Sequence, residues 1–314
     1  MAFTSSQVLD LVLTDAYQKG FSVSETWAEK ACTIMPVSGH DLLVGWLDKI
    51  PSVRQWEGNR KFHTPRLRTY SIGMRRFELS EQVDRTAVDD NQLALYTNMF
   101  EAIGTQTKKY KDRLMGEYIR TNAVCADGMP FFSASHPIDL DNPGSGTYGN
   151  LASGLTLQAA LTDAVNVAAQ MKGADGEYIG FEPTHLLIEK GKKIAANEVL
   201  NNTFIPSAAG TATQNNPLQG FVEPIFANEL KLNSVQQAAL DASLGRAGGY
   251  YAYLLDLSKG ISPFVFGERD VPEFQNLGTL GAYDPNTDMY KYGSRMRGGE
   301  GFSLPFLAVR MTVG

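Results

Sequence analysis

Arg54–Arg76 reads RQWEGNRKFHTPRLRTYSIGMRR, and seven of these 23 side chains are cationic: Arg54, Arg60, Lys61, Arg66, Arg68, Arg75 and Arg76. Glu57 is the single acid among them. Upstream, Trp46, Leu47, Ile50, Val53 and Trp56 lead into the basic stretch. Tyr70 and Ile72 then alternate with polar residues, and beyond Arg76 the residues Phe77, Leu79 and Val83 alternate with Glu78, Ser80, Gln82 and Asp84. A period of two is the signature of strands. Gly73-Met74-Arg75-Arg76 between the two runs predicts the tip of a β-hairpin. So basic a hairpin has little apolar surface with which to fold back on its own domain, so it reads as an arm that reaches a neighbour.

The next element is a long amphipathic helix over Asp90–Asn122. Leu93, Tyr96, Met99 or Phe100, Ile103, Thr107, Tyr110, Leu114 and Tyr118 recur at spacings of three and four, and Asp89 or Asp90 supplies an N-cap. At ~1.5 Å per residue the span is roughly 50 Å, far beyond the mean helix of about 11 residues. Gly104 and Gly116 sit inside it, each at about 1 kcal/mol relative to Ala, which predicts a bend or a close contact at each.

Working outward, residues 1–45 carry short helical signals around Gln7–Gln18 and Ser24–Cys32 and read as an N-terminal arm. Cys125–Asn150 is rich in Gly, Pro, Ser, Asp and Asn and reads as a structured loop. A helix over Leu155–Met171, punctuated by Gly173, a strand His185–Ile188 and a helix Lys192–Leu200 follow. Asn201–Asn216 has the composition of a polar surface loop. Strands are predicted at Tyr250–Leu257, Pro263–Phe266, Met289–Arg297 and Phe302–Met311. The class is α+β.

Composition bounds the function. The 314 residues suggest roughly two domains, and 43% hydrophobic residues afford a sizeable core. No apolar run approaches the ~18 residues of a membrane span, and Met1 opens no basic and apolar leader, so the cytosol is the expected place of synthesis. Cys32 and Cys125 lack metal-ligand spacing, as do His40, His63, His136 and His185, so neither a metal nor a cofactor is expected. No P-loop, HExxH or GxSxG occurs. Ser133, Ser135, His136 and Asp139 crowd one loop, where a turn-stabilising role is expected rather than triad chemistry. Asp139, Asp141, Asn142 and Gly144 resemble the start of a calcium loop, but Pro143 takes a ligand position and Asn150 stands where a bidentate Glu is needed. The net charge of −6 opposes bulk nucleic-acid binding, although a local basic face is compatible with contact.

Glu78, Glu81, Asp84, Asp89 and Asp90 form an acidic block just beyond the basic hairpin. One copy's cations therefore suit another copy's acids in a head-to-tail contact. Intersubunit candidates are Trp56, Arg60, Arg66, Arg68, Arg75 and Arg76 on one side and the five acids on the other. Trp56 is the best single anchor candidate, because a buried aromatic carries a disproportionate share of interface energy; the alternative is ordinary packing at the hairpin base.

Three stretches carry a family resemblance: Ile50-Pro-Ser-Val-Arg-Gln-Trp-Glu-Gly-Asn-Arg60; Phe77-Glu-Leu-Ser-Glu-Gln-Val-Asp-Arg85 leading to Val88-Asp-Asp90; and Asp127-Gly-Met-Pro-Phe-Phe-Ser-Ala-Ser-His-Pro137. With Gly301-Phe-Ser-Leu-Pro-Phe306 near the end, the chain resembles Mu-like phage major head subunits. The resemblance implies the tailed-phage capsid fold shared with encapsulins and herpesvirus shell floors. It divides the chain into an N-terminal arm (1–45), an extended hairpin loop (46–88), a peripheral domain with a spine helix (89–154), a mixed α/β axial domain (155–262) and C-terminal strands returning to the peripheral domain (263–314). It implies a non-enzymatic shell protein assembling in the host cytoplasm as pentamers and hexamers of itself. Scaffold, portal and decoration proteins are the expected partners, and packaged double-stranded DNA is held weakly. The short segment before the hairpin implies a separate scaffold. An encapsulin-type nanocompartment around an enzyme cargo is the alternative.

Overall fold

The computed structural model describes residues 5–47, 67–89, 93–140, 143–173, 176–206, 213–278, 282–285 and 287–314. The chain opens with α1 (Ser5–Val23), α2 (Ala28–Ala31) and β1 (Cys32–Pro36), followed by β2 (Asp41–Leu47), β3 (Leu67–Gly73) and β4 (Arg75–Asp84). Then come α3 (Arg85–Asp89), α4 (Leu93–Lys108) and α5 (Tyr110–Thr121), the short strands β5 (His136–Pro137) and β6 (Thr147–Tyr148), and β7 (Leu151–Gly154) with α6 (Leu157–Ala169). The next group is β8 (His185–Glu189), α7 (Lys193–Asn201), β9 (Phe204–Pro206), β10 (Thr213–Asn215), β11 (Glu223–Ala227) and α8 (Ser234–Leu244). β12 (Tyr250–Leu255), β13 (Phe264–Asn276), β14 (Tyr283–Asp284), β15 (Met289–Phe302) and β16 (Ala308–Val313) complete it.

Two five-stranded sheets organise these elements. In the first, β1 runs parallel to β13, β13 antiparallel to β15, and β15 pairs with both β14 and β4. The second has the order β11-β8-β12-β16-β7, parallel at its two edges and antiparallel within. α6 covers one face of the second sheet with Leu157, Ala160, Leu161, Ala164 and Ala168, and its start is fixed by Thr156, whose side chain accepts from the Ala159 amide. α5 joins the two units. Its Tyr110, Leu114, Met115 and Ile119 pack in one cluster with Phe264, Phe266 and Phe302 of the first sheet and Leu187, Tyr253 and Leu255 of the second.

The N-terminal segment is no loose arm. α1 buries Leu9, Leu13, Ala16 and Tyr17 against α4 and the first sheet. It crosses α4 backbone to backbone: a Cβ on Gly104 would lie 2.1 Å from the Tyr17 carbonyl oxygen, and one on Gly20 would lie 1.9 Å from that of Glu101. The glycine inside the long helix is therefore a crossing point and no bend. Gly116 plays the same part, since a Cβ there would lie 2.4 Å from Cβ of Glu229. The helical run instead divides at Lys109, whose ψ of 3° leaves the helical well. Its amide still reaches the Thr105 carbonyl at 3.2 Å, so the axis carries on, and the run ends where Asn122 turns left-handed at φ 49°.

The hairpin differs from its sequence-based outline. Gly73 and Arg75 do not flank a tip: β3 pairs with β2, from Asp41 opposite Gly73 to Leu47 opposite Leu67, whereas β4 pairs with β15. Gly73 keeps a negative φ, so no primed turn forms there. One extended run simply changes partner at Met74. Residues 48–66, which connect β2 to β3, lie outside the described residues.

Other boundaries shift. α6 ends at Ala169, before Gly173, and β13 continues to Asn276 through two register shifts. The stretch expected to be a loop at 201–216 contains the β9–β10 pair, and β7, β11 and α8 lack the periodicity that would have announced them. The last segment, 263–314, does not return as one set of strands: β13, β14 and β15 lie in the first sheet, but β16 inserts between β12 and β7 of the second. Buried Val309, Met311 and Val313 face the α6 core and draw it there.

Candidate assembly interface

Among the described residues β2 and β3 pair only with each other, so the hairpin leaves the body of the molecule as a two-stranded ribbon. What holds its base is a glycine-rich stretch of β15. A Cβ on Gly299 would lie 2.5 Å from the Gly73 carbonyl oxygen, and one on Gly301 would lie 2.2 Å from Cδ1 of Ile72. Only residues without side chains let β3 cross the sheet this closely. Val44, Ile72 and Met74 then bury against Val265 in a small separate cluster, and Tyr70 and Tyr118 share a hydroxyl–hydroxyl hydrogen bond of 3.0 Å. The sequence signal was present in Arg297-Gly-Gly-Glu-Gly301, but a glycine run does not say what crosses it.

The interface residues expected from sequence separate into groups. Trp56, Arg60, Arg66 and Asp90 lie outside the described residues. Arg68 falls in β3 opposite Trp46, and Asp89 closes α3. Arg75 is engaged within its own chain, paired with the largely buried carboxylate of Glu300 and set over the Phe77 ring at 5.5 Å. Asp84 is also turned inward to its own chain, accepting from the Thr86 amide at 2.8 Å and the Thr86 hydroxyl at 2.7 Å, bonds that lower its pKa. Arg76, Glu78 and Glu81 are exposed. Arg76, Glu78 and Arg295, the residue opposite Glu78, line a cleft of about 330 Å³ together with Ser80 and Leu277. A patch of both signs on an open sheet face suits electrostatic docking.

A second joint ties the N-terminal segment to α5. The Asp112 carboxylate accepts from the Ala28 amide at 2.9 Å, and the Trp27 indole donates to Glu229 at 3.0 Å. Burial raises the pKa of Asp112 to about 7, opposed by the Ala28 amide and reinforced by the charge of Glu229. Nearby, Lys111 and Glu268 form an enclosed ion pair of 2.8 Å.

Among the described residues of the loop after α5, Ser133, Ser135 and His136 are not set out as a catalytic triad. His136 is fully buried; its Nδ1 faces Asp127 Oδ2 at 2.6 Å and its Nε2 faces the Phe131 carbonyl at 3.1 Å. With both nitrogens committed, the ring is unavailable as a base for Ser133 or Ser135, whose contacts are those of a turn. The Cys125 thiol donates to Asp127 Oδ1 at 2.8 Å, and burial, then that bond, pushes its pKa up to about 12. Donor atoms of Cys125, Asp127 and His136 all lie within 4.8 Å of one another. No helix among the described residues is long and apolar enough to cross a membrane.

Comparison with known proteins places these features. The family model described as the Mu-like prophage major head subunit gpT matches residues 7–159 and 224–312. The major capsid protein of Escherichia phage Mu is 26% identical over 136 residues, which cover 43% of this chain and 45% of that protein. The Mu-like prophage FluMu major head subunit of Haemophilus influenzae is 21% identical over 131 residues, covering 41% of this chain and 42% of that protein. The matched stretch thus spans less than half the length of either relative. Among solved structures, the bacteriophage JBD30 procapsid aligns over 98% of this chain and 74% of its own with a TM-score of 0.54 at 19% identity. The capsid of an empty GTA particle aligns over 100% of both chains with a TM-score of 0.54 at 13% identity. A virus-like particle from Pyrococcus furiosus aligns over 96% of this chain and 98% of its own with a TM-score of 0.53 at 12% identity. At such identities these structures establish the fold: it is that of tailed-phage capsid proteins.

Proposed function

The chain belongs to the family of Mu-like prophage major head subunits, and from that premise we propose that it is the shell-forming subunit of a phage head, structural rather than enzymatic. Copies gather as pentamers and hexamers and close into an icosahedral shell around a double-stranded DNA genome. The hairpin of each copy lies across its neighbour. Trp56 anchors it there, and Arg60, Arg66, Arg68 and Arg76 face the neighbour's acids, with Glu78 and Glu81 the exposed members of that block. Assembly takes place in the host cytoplasm with a scaffold and a portal, and decoration proteins bind the finished shell.

One observation carries this reading: among the described residues β2 and β3 pair only with each other, a two-stranded ribbon attached to the first sheet through Val44, Ile72, Met74 and Val265. Such a ribbon is unstable alone in water and acquires its partner from another chain. An encapsulin-type compartment would use the same fold, and family membership favours the phage head over it. The test is sedimentation velocity and negative-stain electron microscopy of the chain expressed with and without its scaffold. Capsomers or shells that disappear on Trp56→Ala or Arg76→Glu support the reading. A wild-type chain that stays monomeric even with scaffold present contradicts it.

A further inference from the structure

We infer that Cys125, Asp127 and His136 form a binding site for one divalent metal ion of the zinc class, built into the turn that follows the spine helix. The inference is independent of the assembly reading and rests on geometry: a thiol, a carboxylate oxygen and a ring nitrogen from Cys125, Asp127 and His136 all lie within 4.8 Å of one another. His136 Nε2 faces the Phe131 carbonyl at 3.1 Å and Nδ1 faces Asp127 Oδ2 at 2.6 Å, so Nδ1 is the nitrogen turned into the cluster. Donation of the far nitrogen to a backbone carbonyl is also how metal-bound histidines are held in one orientation.

The remaining donors converge on the same point. Asp127 Oδ1 accepts from the Cys125 thiol at 2.8 Å and the Met129 amide at 2.9 Å. Tetrahedral zinc bonds of about 2.0–2.3 Å set donor atoms about 3.3–3.8 Å apart, which a cluster contained within 4.8 Å reaches by small side-chain movements. The scaffold is firm. The Cys125 amide donates to the Met129 carbonyl at 2.9 Å, Gly128 turns the chain at φ 81°, Val124 bridges to Pro130, and the Asn150 side chain holds the Phe131 carbonyl at 2.8 Å. Cys125 and His136 are buried and the Tyr148 ring stacks on the imidazole at 5.3 Å, while Asp127 keeps partial exposure, which leaves room for water as the fourth ligand. One thiolate, one imidazole and one carboxylate suit zinc or cobalt and not calcium or magnesium. Sequence spacing hid the site because Cys-x-Asp lies on one side of the turn and the histidine nine residues beyond Asp127 on the other, with no paired Cys or His motif to announce it.

Binding is a proton exchange without change of oxidation state. The metal forms bonds to Sγ, Nδ1 and an Asp127 oxygen. The thiol hydrogen and the proton between Nδ1 and Oδ2 leave to the buffer, two per metal. The test is titration of the full, unassembled, chelator-stripped chain with Co²⁺ and then Zn²⁺. One equivalent of Co²⁺ per chain with a thiolate-to-cobalt charge-transfer band, displaced by one equivalent of Zn²⁺, is the expected result. Cys32→Ser keeps both signals, whereas Cys125→Ser and His136→Asn lose the band and weaken uptake at least tenfold. X-ray absorption on the zinc-loaded wild type needs no variant and is expected to show one sulfur at about 2.3 Å with lighter donors at about 2.0–2.2 Å. No Co²⁺ uptake, a zinc shell without sulfur, or uptake unchanged in Cys125→Ser overturns the proposal.

Discussion

Asp112 illustrates how a single buried group links the N-terminal segment to the rest of the molecule. Its folded-state pKa, near 7, lies above the ordinary value of about 3.9, so the folded chain holds a proton that the unfolded chain has released across that interval. Its contribution is fully present below about pH 4 and is lost as pH rises toward 7. The free energy of unfolding of the unassembled chain is therefore expected to carry a component that falls with pH over this window, by up to about 4 kcal/mol. Asp112→Asn, which keeps an oxygen for the Ala28 amide, is expected to flatten that component; chemical denaturation at several pH values measures it, and an unchanged profile refutes the assignment. Glycines give the second prediction at this scale. Helix propensity alone makes Gly104→Ala stabilising by about 1 kcal/mol. The added Cβ would meet the Tyr17 backbone, however, so a loss of about 1–3 kcal/mol is expected in thermal or denaturant unfolding.

At the scale of elements, the contrast between Arg75 and Arg76 separates folding from assembly. Arg75 serves its own chain through Glu300, so Arg75→Glu sets two carboxylates together and is expected to lower the melting temperature of the monomer. Arg76 has an exposed side chain, so Arg76→Glu is expected to leave melting within about 0.5 kcal/mol of wild type while reducing the yield of capsomers. Calorimetry and sedimentation of the two variants decide it. The same elements show what the sequence made legible. Period-two alternation marked the strands around Met74 and the spacing of Tyr96, Ile103, Tyr110 and Leu114 marked the long helical run, since both patterns record a buried face. The apolar phase shifts by one residue between Met74 and Phe77, as it would across a turn, but here the shift marks the exchange of β2 for β15 as ladder partner. The sequence pattern of a turn and that of a partner exchange are therefore alike at Gly73–Arg76. The α1–α4 crossing was visible only as a glycine in a helix, and the Cys125, Asp127 and His136 cluster not at all, because tertiary proximity of three unlike donors leaves no periodic trace.

At the scale of the whole molecule, α5 fastens two sheets into one body through a single apolar cluster, while the ribbon of β2 and β3 stands out from it. In the shell proposed above, the body would hold its shape while the ribbon engaged a neighbour, and individually weak contacts of about 0–1 kcal/mol per exposed ion pair would gain strength by repetition. On the proposed reading, the net charge of −6 would keep such a shell from gripping a packaged genome tightly. The central claim is that the ribbon joins one copy to the next, and the most direct measurement replaces residues 48–66 with a two-residue Asn-Gly turn between Leu47 and Leu67. Negative-stain electron microscopy of this variant beside the wild type, with circular dichroism to confirm that the body stays folded, is expected to show shells or capsomers from the wild type and only dispersed subunits from the variant. Closed shells from a folded variant that lacks the ribbon's outer segment would contradict the account.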